Sequence, residues 1–226
     1  MKKLLFNFFF ILSVIVLVVI SIGIFYGLYA VNQKTDNDLL EEKIKIELAK
    51  EETVNDIFLD FKFGDTEKDV SNKLIKLASE NKISMNVLNQ YVYKFTEIWK
   101  TGEAVLSFEY FEGGLYKLTL TVDPIDNYNN NFSIEKPDTD VSLLWYDLTD
   151  VYKQKFGVQK VLFTKGSFSN SKTHDNHHWV QNNRMITISV FVDVKIEYVD
   201  LNIQSKVEQK EKKAKKLKNK KMQDDL

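Results

Sequence analysis

Residues 104–123, AVLSFEYFEGGLYKLTLTVD, decide the predicted fold because they join two strand patterns through a turn signal. Ala104 to Phe111 and Leu115 to Asp123 are rich in β-branched and aromatic residues and show some alternation of apolar and polar side chains. Between them stands Glu112-Gly113-Gly114, and such glycine pairs favour the positive φ angles of a tight hairpin turn. We therefore predict an antiparallel hairpin within an antiparallel sheet.

Around the hairpin, a helix followed by strands is predicted twice. The first helix runs from Thr66 to Ser79, with Asp65 or Thr66 as its cap, and the second carries a stripe from Leu143 to Phe156 that ends at Gly157. The other predicted strands are Tyr91–Trp99 before the hairpin and Val158–Thr164, His177–Gln181, Met185–Val192 and Lys195–Leu201 after the second helix. The predicted fold class is α+β, with two α-β-β-β units and an antiparallel sheet.

The N-terminal segment carries the signal of a membrane anchor. Lys2 and Lys3 precede the uncharged stretch from Phe8 to Ala30, which as a helix reaches about 34 Å at ~1.5 Å per residue. The hydrocarbon core of a bilayer is about 30 Å thick, so this length predicts a transmembrane helix. The alternative is a cleaved signal peptide, whose apolar region runs only about 7–15 residues.

The position of the basic residues predicts the orientation of this anchor. Lys2 and Lys3 lie in a very short N-terminal tail, which favours an N-terminus inside the cell and an exported C-terminal domain. We therefore expect a single-pass protein of the inner (cytoplasmic) membrane with its C-terminal domain outside the cytoplasm. Lys34, Lys43 and Lys45 on the other side of the segment weigh against this orientation.

Charge is unevenly distributed, although 31 Lys+Arg against 32 Asp+Glu give a net charge of only −1. Residues 206–221 contain nine lysines, so the tail is predicted to be a solvated helix or disordered. Such a tail either binds a polyanion or anionic lipid or only aids solubility. Because Arg184 is the single arginine, the chain is not expected to read DNA sequence.

One cluster invites a catalytic hypothesis, namely His174-Asp175-Asn176-His177-His178. Imidazole and carboxylate groups this close suit zinc, nickel or copper, and a metal-dependent hydrolase centred on them is the alternative function. The competing interpretation is a polar loop entering a strand. The chain has no cysteine and shows neither a nucleophile elbow nor a phosphate loop, so we assign no catalytic, cofactor or metal residue and do not predict an enzyme.

The predicted organisation follows from these patterns. It comprises a membrane anchor (1–31), a linker with an amphipathic stalk helix at Leu39–Thr53 (32–53), a first α-β-β-β unit (54–125), a polar linker (126–140), a second α-β-β-β unit (141–205) and a lysine-rich tail (206–226).

Three short motifs carry a resemblance to known proteins: Phe63-Gly64-Asp65-Thr66-Glu67-Lys68-Asp69-Val70, Leu115-Tyr116-Lys117-Leu118 and Tyr152-Lys153-Gln154-Lys155-Phe156-Gly157. Their arrangement resembles tandem α-β-β-β bacterial envelope modules, of the outer-membrane-assembly lipoprotein (BamE-like) or β-lactamase-inhibitor-protein-like kind. The missing lipid-anchor cysteine departs from the lipoprotein pattern. The resemblance implies binding or assembly with a protein partner in the envelope, without catalysis.

Overall fold

The structure is a computed structural model that describes residues 35–95, 102–124, 137–158, 161–164, 176–190 and 193–224. The chain divides into two compact units, Met1–Asp38 and Leu39–Leu226. Most of the first unit, including the predicted membrane segment Phe8–Ala30, lies outside the described residues. Within the described ranges, no helix has the length and apolar character needed to cross a bilayer.

The described residues form helices and one antiparallel sheet, which confirms the α+β class. In chain order the elements are α1 (Asp36–Leu48), α2 (Glu67–Ser79), β1 (Ile83–Met85), β2 (Tyr91–Lys94), β3 (Gly102–Phe111), β4 (Gly114–Pro124), α3 (Pro137–Phe156), β5 (Val161–Thr164), β6 (Asn176–Gln181), β7 (Arg184–Val190), β8 (Val194–Asp200) and α4 (Leu201–Asp224). The strand order across the sheet is β1-β2-β3-β4-β8-β7-β6-β5.

The predicted central hairpin is present as β3 and β4. Its turn has Glu112 at φ 52° and Gly113 at φ 86°, the pair of positive angles that a two-residue turn of this hand requires. A bulge at Glu109/Tyr110 shifts the register, so Glu109 pairs with Lys117 and Tyr110 pairs with Leu115. The extra residue, Tyr116, donates its hydroxyl hydrogen to Glu109 Oε2 at 2.8 Å.

The core lies on one face of the sheet, at the pairing of β4 with β8. Leu118 stands opposite Tyr198 and Leu120 opposite Ile196, and all four side chains are fully buried. Helices α2 and α3 supply the other half of this core, through Val70, Leu74 and Leu77 and through Leu144, Leu148 and Tyr152. The Tyr152 and Tyr198 hydroxyls share a buried hydrogen bond of 2.5 Å. We call this side the helix-covered face.

Helix α2 begins where the sequence predicts. Thr66 is its N-cap, and its hydroxyl accepts a hydrogen bond from the Asp69 backbone while Asp69 accepts one from the Thr66 backbone. Gly64 has φ 86°, which lets the chain turn before the helix. The Gly64 N–H donates a hydrogen bond to the Leu115 carbonyl at 2.9 Å. The capping box and this contact fix the angle at which α2 reaches the sheet.

Helix α3 is longer than predicted. It starts at Pro137, within the predicted polar linker 126–140, and it ends at Phe156 just before Gly157, which has φ 93°. Proline is favoured in the first turn of a helix because its missing N–H is not needed there. The predicted C-terminal end of this helix is confirmed, because a glycine at positive φ is a local signal that ends a helix.

Four strands follow each of α2 and α3 in the described residues, whereas the α-β-β-β pattern has three. The strand missing from the first prediction is β1, which has three residues and buries only Ile83. The predicted strand Tyr91–Trp99 ends at Lys94 in the structure, and residues 96–99 lie outside the described residues. The predicted strand Val158–Thr164 begins at Val161.

Helix α1 spans Asp36–Leu48, whereas the prediction gave Leu39–Thr53. The predicted apolar stripe is only half-buried, and the buried residue of this helix is Glu47. The amphipathic pattern therefore predicted the helix but not that Glu47 is the side chain that attaches it to the rest of the domain.

The lysine-rich tail belongs to a helix that starts earlier than predicted. Helix α4 follows β8 without a linker, because Asp200 Oδ1 accepts the Asn202 N–H at 2.9 Å and so caps the new helix. Lys210 Nζ lies 5.3 Å from the centre of the Phe111 ring, which is the described cation–π contact between this helix and the central hairpin.

Candidate functional site

The histidines of the predicted metal cluster that the structure describes face opposite sides of β6. His177 lies on the helix-covered face, where its ring centroid is 4.8 Å from that of Trp145 and 6.3 Å from that of Trp179. His178 lies on the other face, and its Nδ1 is 3.0 Å from the Thr187 hydroxyl. Alternation along a strand separates neighbouring side chains in this way, so His177 and His178 do not converge on one ion.

Both rings are buried, and this sets their protonation. Burial lowers the pKa of His177 to about 4, with Lys153 and His178 acting in the same direction and Asp150 opposing them. Burial also lowers the pKa of His178 to about 4, against the opposing effect of Glu197. At neutral pH both are therefore uncharged packing residues.

The metal hypothesis now depends on His174 and Asp175, which lie outside the described residues. In the part of the chain that the structure describes, no group of three or more His, Cys, Asp or Glu side chains is arranged to hold a metal ion. The hydrolase alternative stays a prediction.

A cleft that sequence reasoning missed lies beside the end of α3. It has a volume of about 130 Å³ and is lined by Lys155, Phe156, Trp179, Gln181, Arg184 and Ile186, together with Val180. We call it the Arg184 cleft. Its wall forms because β7 carries Arg184 and Ile186 on the helix-covered face, next to Trp179 of β6, while α3 stops at Phe156.

Two cations flank one aromatic ring in this cleft. Lys155 Nζ lies 5.4 Å, and Arg184 Cζ 5.6 Å, from the Phe156 ring centre. The Phe156 and Trp179 rings are 6.4 Å apart, and the Trp179 indole donates to the Gly157 carbonyl at 3.3 Å. The cleft therefore combines positive charge with a rigid aromatic wall.

Hydrogen bonds hold the Arg184 guanidinium in place, but not all of its N–H donors have an acceptor among the described residues. Its Nη1 donates to the Asp56 carbonyl at 2.8 Å and its Nη2 to Gln181 Oε1 at 2.7 Å. Its Nε is buried and has no hydrogen-bond partner among the described residues. A buried donor without an acceptor costs about 1–3 kcal/mol. Burial lowers the pKa of Arg184, while Tyr198 and Asp56 oppose this effect.

A second surface feature is the turn between β1 and β2, residues 86–90, which we call the Asn86 loop. Val87 is 98% exposed and Leu88 72% exposed at its tip. The Asn86 side-chain oxygen accepts the Leu88 N–H at 3.0 Å and the Gln90 N–H at 2.9 Å. The Asn86 backbone also bonds Gln90 and Asn89. The loop thus holds two aliphatic side chains in solvent on a fixed backbone.

The lysine tail is the third feature. Along α4 every described side chain from Glu208 to Lys218 is exposed, including Leu217. Lysines therefore cover this part of the helix, and the choice between a helix and a disordered tail is answered by a helix to Asp224. Like charges so close repel one another, so a polyanion would stabilise the helix.

The sequence contained one signal for the Arg184 cleft, which is the rarity of arginine in a chain that otherwise uses lysine. The Asn86 loop had none beyond its apolar pair between asparagines. Comparisons with protein-family models, with curated proteins and with solved structures returned no match. The resemblance to envelope modules therefore stays a prediction.

Proposed function

We propose that the protein is a single-pass membrane protein of the bacterial envelope, anchored by Phe8–Ala30, whose exported α+β domain binds a protein partner. The observation that carries the binding role is the Asn86 loop. Its tip holds exposed aliphatic side chains in one backbone conformation, so little conformational entropy is lost when a partner covers them.

The chemistry of the loop favours a protein over a lipid surface. Next to the tip, β1 pairs on one side with β2 and has no neighbouring strand on its other side among the described residues. The backbone groups of such an edge can hydrogen-bond an extended segment of a partner, whereas lipid tails cannot. Burying Val87 and Leu88 would supply about 1.5–3 kcal/mol each. Hydrogen bonds between the β1 edge and an extended segment of the partner would add to this binding free energy.

The absence of cysteine from the chain makes a site-specific test simple. Single-cysteine variants of the full chain, Val87→Cys and Ile75→Cys, are labelled in isolated membranes with a thiol-directed photo-crosslinker. Ile75 is the matched control because it is 60% exposed on α2, outside the Asn86 loop. We expect a discrete adduct from position 87 and none from position 75.

A second readout links the adduct to the apolar tip. Val87→Asp should abolish co-purification of the crosslinked partner with the full chain, and Ile75→Asp should leave it unchanged. Equal adducts from positions 75 and 87, or retention of the partner by Val87→Asp, would refute the proposal.

The same Val87→Cys variant tests the membrane orientation. If the domain is exported, a membrane-impermeant thiol reagent should label it in spheroplasts before lysis. Labelling only after lysis would place the domain in the cytoplasm and reverse the proposed topology.

The helical lysine tail favours a second candidate, binding of anionic lipid through α4. Each lysine near an anionic surface contributes about 1 kcal/mol at most. We expect the α4 amides of the full chain to exchange more slowly in anionic than in neutral nanodiscs, with high salt removing the difference. Identical exchange in both lipids would exclude this candidate.

A further inference from the structure

We propose that the Arg184 cleft binds a carboxylate that is attached to an apolar group, either the C-terminus of a polypeptide or a free small acid. This site is separate from the Asn86 loop. It does not depend on the proposed function.

The charge of the cleft selects an anion. Lys155 and Arg184 both line it, and among the described residues neither forms an ion pair with a carboxylate. The acid that acts on Arg184 is Asp56, whose carboxylate is exposed and lies 3.5 Å from Lys62 Nζ. The cleft thus has two cations and no acid in its lining.

The hydrogen-bonding capacity of Arg184 selects a planar anion. A guanidinium has five N–H donors, and two of those of Arg184 are used by the Asp56 carbonyl and Gln181. The Nε donor is unsatisfied among the described residues. Because Nε is buried, the donors left for a ligand are the second N–H groups of Nη1 and Nη2, which lie in the guanidinium plane and match the two oxygens of a carboxylate.

The walls select what the carboxylate is attached to. Phe156, Trp179 and Ile186 give the cleft an apolar side next to the charged one. A volume of about 130 Å³ exceeds that of one bound water by several-fold, since a water occupies about 30 Å³ of liquid. It accommodates the carboxylate and the first few carbon atoms of the group attached to it.

The test uses the full chain in detergent micelles, with indole ¹⁵N–¹H resonances as the readout. Trp179 reports because it walls the cleft, and Trp179→Phe assigns its signal. The probes are N-acetylphenylalanine, its primary amide, 3-phenylpropionate and inorganic phosphate. We expect both acids to shift the Trp179 signal saturably, and the amide and phosphate to leave it in place.

The two acids distinguish the source of the ligand. At least fivefold tighter binding of N-acetylphenylalanine, which carries the peptide group of a chain end, would support a polypeptide C-terminus. Equal or tighter binding of 3-phenylpropionate would support a free acid. Either result supports the carboxylate site.

Matched neutralisations show whether the cleft itself binds. Lys155→Gln should weaken binding of the acids at least threefold, and Arg184→Lys at least fivefold, because lysine lacks the planar fork. Lys153→Gln is the control. It lies on the same helix outside the cleft, 3.4 Å from Asp150, and should change the affinity less than twofold.

The proposal is overturned if the amide shifts Trp179 as strongly as the acid. It is also overturned if phosphate binds more tightly than both acids, or if Lys155→Gln binds like the unchanged chain. If the Arg184→Lys variant does not fold, Lys155→Gln still tests the proposal. Lys155 is exposed, so its replacement leaves the buried contacts intact.

Discussion

Glu47 shows how one buried acid can attach a peripheral helix to a sheet. Only 3% of this residue is exposed, and its Oε2 accepts the Asn182 N–H of the β6–β7 turn at 3.0 Å. Its Oε1 receives Lys43 at 2.6 Å and Lys50 at 2.8 Å. Burial raises the pKa of Glu47, but the hydrogen bonds from Asn182, Lys43 and Lys50 outweigh it and lower the value to about 2.

We predict that Glu47→Gln destabilises the fold by about 1–3 kcal/mol, because charge-assisted hydrogen bonds are lost in a buried place. Since the folded pKa is below the unfolded one, the Glu47 contribution is present above about pH 4.5 and is lost as the pH falls towards 2. Urea unfolding at neutral pH measures the cost. Glu41→Gln, on the exposed side of α1, should change stability by under about 0.5 kcal/mol. Equal effects of both variants would contradict the assignment.

His177 gives a second titration, in a different pH range. Its folded pKa of about 4 lies below the ordinary histidine value of 6.5, so the unfolded chain binds the extra proton first as the pH falls. The contribution of neutral His177 to the free energy of unfolding is complete above pH 6.5 and decreases as the pH drops from 6.5 to 4. The slope reaches at most about 1.4 kcal/mol per pH unit.

We predict that His177→Phe flattens the pH dependence of unfolding between pH 6.5 and 4, because phenylalanine keeps the ring against Trp145 without the proton. His178 should account for the remaining slope in this range. The measurement is urea unfolding of both proteins across the interval. An unchanged slope in the variant would show that His177 does not couple to folding.

At the scale of elements, the ends of helices were the most predictable features. Thr66 and Gly157 act through hydrogen bonds and backbone angles within a few residues, so the sequence contains the whole signal. The start of α4 was misplaced because apolar alternation continued through Leu201. The competing signal was Asp200, which caps the helix. Strand β1 was missed because three residues with one buried side chain leave no period to detect.

The Arg184 cleft could not be predicted from the sequence, for a different reason. Its lining residues come from the end of α3 and from β6 and β7. The β6 and β7 residues lie side by side because the strand register pairs Trp179 with Ile186. Nothing local in the sequence fixes that register. The histidine cluster is the opposite case, because its residues are adjacent in sequence but strand alternation places His177 and His178 on opposite faces of β6. The metal hypothesis stays a prediction, since His174 and Asp175 lie outside the described residues.

The cap of α2 gives a prediction at this scale. Thr66→Ala should destabilise the protein by about 0.5–2 kcal/mol, because the Asp69 N–H loses its acceptor at 3.2 Å. Ser71→Ala removes a hydroxyl from an exposed position inside the same helix and should be neutral or stabilising by a few tenths of a kcal/mol. Urea midpoints of the two variants decide the matter. Equal losses would mean that the cap does not hold α2.

At the scale of the molecule, the pairing of β4 with β8 joins the part that begins with α2 to the part that begins with α3. Six residue pairs run from Lys117–Val199 to Val122–Val194, with the fully buried Leu118, Leu120 and Ile196 among them. The apolar side chains of both helices belong to one core cluster. Residues 39–226 are also one compact unit. These facts indicate one cooperative fold rather than two that unfold independently.

We predict that Ile196→Ala lowers the unfolding free energy by about 2–5 kcal/mol, because it leaves a cavity at this junction. If the fold is cooperative, the loss must appear equally in the exchange protection of the Leu106 amide in β3 and the Ile186 amide in β7. Native-state hydrogen exchange on the full chain measures both. The control Ile75→Ala, at an exposed site of α2, should change neither amide by more than about 0.5 kcal/mol. A loss confined to Ile186 would mean that the two parts open separately and that the β4–β8 pairing is only a contact between them.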